Sequence, residues 1–170
     1  MEEGRTKTMK GTLVLGVFFL MVVTTYASFS HIVSYITEHS NQLYPFEGSV
    51  VLIVNYLVYM LGLSRASVIS NYKRQFQIAA LCYATNYVLY LFHFDHLLGL
   101  ISSALGALIG GYGASLLWVS QGGYMMELFK SNNIAKDEEG YYLGIQNGMI
   151  YASNIVGAII ITFGLGLLGN

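Results

Sequence analysis

Every lysine and arginine in this chain falls into alternate gaps between long apolar stretches that hold no charged residue. Arg5, Lys7 and Lys10 precede the first stretch (11–36). Arg65, Lys73 and Arg74 separate the second (48–64) from the third (76–92), and Lys130 and Lys136 separate the fourth (97–126) from the fifth (141–168). The other gaps carry Glu38, Glu47 and Asp95, with no basic residue. A membrane-crossing helix needs about 20 mostly apolar residues, and loops on the cytoplasmic side collect Lys and Arg. An odd number of crossings sorts the charges in this way, whereas one helix more or fewer would scatter them. The expected fold is therefore an all-α, polytopic membrane bundle of five transmembrane helices. A short polar segment over 1–10 precedes a single transmembrane domain over 11–170. The amino terminus is expected on the positive-inside face and the carboxyl terminus opposite.

Composition points to the same solvent. Of 170 residues only 10% are charged and 55% are hydrophobic, against about 25% charged in a soluble domain. A compact soluble domain could not cover its surface with so few charges, so membrane lipid is the first expected partner. The net charge of −1 argues against nucleic acid, which needs a basic surface. One cysteine, Cys82, excludes a disulfide framework and a Cys-based metal site. No secretory leader is visible: Met1-Glu2-Glu3 is acidic, and the first apolar run is too long for a signal peptide.

Small residues are spaced for close helix packing. Ser102, Gly106, Gly110 and Ala114 recur every four residues, as do Ser103, Ala107 and Gly111; Gly144 and Gly148, then Ser153 and Gly157, continue the pattern in the fifth stretch. In lipid, such residues let backbones approach. Gly106, Gly110, Gly111, Ala114, Gly144, Gly148 and Gly157 are the expected packing positions. Carboxamides lie at membrane depth at Asn55, Asn86, Gln121, Gln146, Asn147 and Asn154. They either fix helix register or line a polar cavity. No Asp, Glu, Lys or Arg lies well inside a stretch, which disfavours a proton relay.

Catalytic motifs are missing from the sequence: no phosphate-cradling Gly-Lys-Ser/Thr loop, no His-Glu-x-x-His and no Gly-x-Ser-x-Gly. His93, Asp95 and His96, with His39 and Glu38, form the one metal-like set, and polar interfacial loops commonly hold such residues. No enzyme, cofactor or metal is expected. Tyr44, Tyr124, Tyr141 and Tyr142 fall near stretch ends, where amphipathic rings gather.

The segment Gly111-Tyr112-Gly113-Ala114-Ser115-Leu116-Leu117-Trp118-Val119-Ser120-Gln121-Gly122-Gly123-Tyr124 resembles the fourth-helix signature of the uncoordinated-ninety-three-like family, a branch of the major facilitator superfamily. Leu15 to Ser34, Tyr83 to Tyr87, Gly144 to Asn147 and Asn154 to Gly157 resemble its first, third and fifth helices. The resemblance implies an incomplete six-helix facilitator half. It also implies a regulatory or trafficking role beside other membrane proteins. Two departures stand beside it. A facilitator has two six-helix halves around a midplane site, whereas five stretches make less than one half. The loop Ser64 to Arg74 also keeps basic residues but lacks the superfamily's Gly-x-x-x-Asp-x-x-Gly-Arg pattern.

Two functions compete. The first is a non-catalytic accessory or structural subunit, packed among other integral membrane subunits of a larger assembly. Its expected setting is a respiratory complex of the mitochondrial inner membrane. The alternative is half of a facilitator-type solute transporter, completed by a second chain or by dimerisation, with the carboxamides lining the path.

Overall fold

A computed structural model describes the backbone at residues 2–40, 47–66, 71–90 and 96–168, and the side chains at 2–26, 51, 53–64, 71–89 and 97–164. Five helices make up these residues: α1 (Glu2–Ser40), α2 (Glu47–Ala66), α3 (Tyr72–Tyr90), α4 (His96–Ser131) and α5 (Lys136–Leu168). Each expected stretch lies within or largely within one of them. The polar segment expected over 1–10 is helical from Glu2 onward, so α1 is a single helix of 39 residues.

Among the described residues, three helices are long and apolar enough to cross a membrane: Glu2–Tyr26, Leu97–Ser131 and Lys136–Gly164. Ile53–Ser64 in α2 is apolar but shorter. α3 is less apolar because Lys73, Arg74, Gln75, Gln77 and Asn86 dilute its 19 residues.

Local chemistry marks the helix ends. The Asn71 carboxamide oxygen accepts from the Arg74 backbone N–H at 3.0 Å, capping α3 three residues in. α4 closes with Asn133 in the left-handed region, φ 51°. There the Asn133 N–H donates to the Lys130 carbonyl at 3.3 Å, and that of Ile134 to Phe129 at 3.0 Å. This paired arrangement satisfies the last carbonyls of a helix, and Asn tolerates the backbone better than most non-glycine residues. α5 then opens on Asp137, Glu138 and Glu139, which suit the positive end of its dipole.

The chain groups into two compact units, residues 1–31 with 122–170, and residues 32–121. In the first, α1 and α5 run parallel. Arg5 pairs with Glu138, its Nε donating at 3.1 Å; Gly16 lies against Met149; and the Thr24 hydroxyl donates to the Ser153 carbonyl at 3.2 Å. The end of α4 runs antiparallel to both, with Gly11 against Leu128 and Tyr124 and the Phe129 and Tyr142 rings 6.0 Å apart.

In the second unit the first part of α4 runs parallel to α2 and antiparallel to α3. Gly62 meets Ser115 while Asn55 meets Ala107 and Gly111; Cys82 lies against Gly113 while Asn86 lies against Gly110.

Candidate functional site

The second unit brings three of its helices together at a polar junction. The Asn55 amide of α2 donates to the Ala107 carbonyl of α4 at 3.2 Å. Asn86 of α3 is 4% exposed, and its Oδ1 has no hydrogen-bond partner within the chain. Both carboxamides crowd Gly110, where an added Cβ would lie 3.1 Å from Asn86 Nδ2 and 3.3 Å from Asn55 Nδ2. At Gly111 a Cβ would meet the Asn55 backbone carbonyl. Glycine at both positions is what allows α2 and α3 to close on α4.

Other expected positions on α4 are also enclosed. Gly106 is buried and Ala114 half-buried. Gln121 is buried, with Oε1 unpartnered within the chain.

On α5 the expected positions divide between two faces. Gln146 and Ser153 are fully buried and Gly157 is buried, on the row that also holds Tyr142 and Ile150. Gly144 and Gly148, expected at a close helix contact, are exposed, with nothing within 4 Å of an added Cβ. Asn147 and Asn154 are exposed on the same side. The physical reason is rotational phase. At 100° per residue, 144 and 148 lie far around the helix from 146, 150 and 153.

Several close approaches escape the four-residue spacing. Gly62 against Ser115, Gly113 against Cys82 and Gly16 against Met149 each set a glycine that belongs to none of the four-residue rows against a residue of another helix. The Ser120 hydroxyl donates to the buried Gln75 carboxamide across α3 and α4. Gln75 lies one residue before the third apolar stretch, so a reading by apolar runs assigns it to the loop. Thr12, fully buried, sits at the start of the first stretch and has no partner of its own type to mark it.

Among the described residues the buried polar side chains are hydroxyls and carboxamides. They donate and accept hydrogen bonds without gaining or losing protons at ordinary pH. Among the described residues no three His, Cys, Asp or Glu side chains gather as for a metal; His93 and Asp95, and the side chains of Glu38, His39 and His96, lie outside them.

A family model described as "UNC-93: Ion channel regulatory protein UNC-93" matches residues 39–166. That range runs from the end of α1 through nearly all of α5 and contains both the three-helix junction and the exposed α5 row. No curated protein and no solved structure matches the chain.

Proposed function

The chain belongs to the UNC-93 family of ion channel regulatory proteins, and on that premise we propose that it is a non-catalytic membrane subunit. It binds other multi-pass membrane proteins through the exposed face of α5. The observation carrying this reading is the α5 row of Gly140, Gly144 and Gly148, each with open space at its Cβ position, beside exposed Asn147 and Asn154. A carboxamide facing acyl chains lacks hydrogen-bond partners, and a glycine row facing lipid gains nothing from its smallness. A second transmembrane helix answers both, because close approach brings backbone and polar side chains within reach.

Five crossings with the basic loops on one side complete this reading. In the first unit the Arg5 end of α1 lies beside the start of α5, just after the α4 end at Lys130. In the second, the antiparallel course of α3 against α4 puts Lys73 and Arg74 at the end where α2 finishes. The family description names ion channels, so a channel-type membrane protein is proposed as partner in place of the respiratory complex of the mitochondrial inner membrane.

The test is purification in mild detergent from membranes that express the chain, with partners identified by mass spectrometry. Gly144→Leu is expected to deplete channel-type subunits from the preparation while the chain itself stays folded and abundant. Undiminished recovery of the same partners refutes the reading.

A transporter half completed by a second chain is the competing reading, favoured by the unpartnered buried carboxamides of Asn86 and Gln146 and by the resemblance to a facilitator half. Solute flux through liposomes holding only this chain, lost on Asn86→Leu, would establish it.

A further inference from the structure

We propose that α1 and α5 hold an internal water molecule between Thr12 and Gln146. Both residues belong to the first unit, and both are fully buried. Thr12 Oγ1 and both polar atoms of Gln146 have no hydrogen-bond partner within the chain. Helix register places them at one level. Arg5 pairs with Glu138 and Gly16 lies against Met149, so Thr12 is level with residues 145 and 146.

The two also lie on facing rows. Thr12 follows Arg5 by seven residues and precedes Gly16 by four, the spacings that keep side chains on one helical face. Gln146 precedes Met149 by three, another spacing that keeps side chains on one helical face, and the Met149 side chain meets Gly16 of α1.

The behaviour of the other threonines sharpens the point. Thr6, Thr8, Thr25, Thr85 and Thr162 each donate to the carbonyl four residues earlier, the usual way a helical hydroxyl is satisfied. Thr12 makes no such bond. Gln146 offers an acceptor and a donor, and the Thr12 hydroxyl serves as either. Three polar groups, donors and acceptors mixed, suit a buried water, which typically makes about three hydrogen bonds. No charge is present among them, so an ion is a poorer match.

The test uses the whole chain in lipid bilayers and water itself as the probe. Water-edited solid-state NMR measures transfer of magnetisation from water to the Gln146 side-chain amide. Transfer is expected in the unaltered chain and lost in Thr12→Val, with backbone shifts elsewhere unchanged. If Thr12→Val does not fold, Thr12→Ala removes the same hydroxyl with less bulk. Absence of transfer in the unaltered chain overturns the proposal, and so does transfer that survives loss of the hydroxyl. The readout concerns the isolated chain, so it stands or falls independently of any partner on α5.

Discussion

Asn86 and Gly110 meet across α3 and α4 so closely that a β-carbon on residue 110 would stand 3.1 Å from the asparagine amide nitrogen. The neighbouring Gly111 is tighter in kind, because its obstacle is the backbone carbonyl of Asn55. A side-chain end can swing aside, whereas a backbone carbonyl moves only with its helix.

Gly111→Ala is therefore expected to destabilise the fold more than Gly110→Ala, by about 1–3 kcal/mol, the usual range for overpacking. Gly144→Ala, made on the open side of α5, should be neutral or stabilising by up to ~1 kcal/mol through helix propensity. Thermal unfolding of the three variants in one detergent checks the order. Equal losses at 111 and 144 would rule out the packing argument.

The two asparagines of the junction should respond differently to leucine. Asn55→Leu removes an interhelical bond to Ala107 and is expected to cost about 0.6 kcal/mol, at most ~1.7. Asn86→Leu replaces a carboxamide whose buried oxygen has no partner within the chain. Apolar replacement of an unsatisfied group is close to neutral or stabilising. Chemical denaturation in micelles would show whether Asn86→Leu is the milder change; the reverse order contradicts the assignment.

The Arg5–Glu138 pair ties the starts of α1 and α5 by two guanidinium nitrogens. Arg5→Glu should lower stability, and adding Glu138→Arg should recover much of it. Because the pair is exposed, the recovery should shrink as salt rises. A double variant no better than the single one at low salt would deny the pair any part in α1–α5 docking.

Topology can be read with thiol reagents. In a Cys82→Ala background, which keeps the β-carbon that lies against Gly113, cysteines at 73 and 130 should label from one side and a cysteine at 168 from the other. Labelling of 73 and 130 from opposite sides is incompatible with five crossings.

Helix positions were legible in the sequence because lipid demands long apolar runs, and the runs end at charged or polar loops. The meeting of Asn55, Asn86 and Gly110 was legible only as residue types, since spacing cannot say which helices adjoin. The α5 glycines show the limit most clearly. In a soluble helix the apolar face points inward, but in lipid both faces are apolar, so phase must come from packing. Gly144 and Gly148 have the spacing of a contact face and lie on the open side; Gln146, two residues beyond Gly144, and Ser153, five beyond Gly148, face inward. Thr12 was illegible for a related reason, as its hydroxyl is ordinary until its missing backbone bond is seen.

Arg5 and Glu138 are 133 residues apart in the chain, and their helices run side by side. At about 5–20 residues per second of synthesis, α1 waits on the order of ten seconds before α5 exists. During that interval the α1 row of Arg5, Thr12 and Gly16 has no α5 to pack on and must rest against lipid, the insertion machinery or the helices already made. Changes on this row should thus act first on biogenesis, lowering yield, before they alter the finished protein.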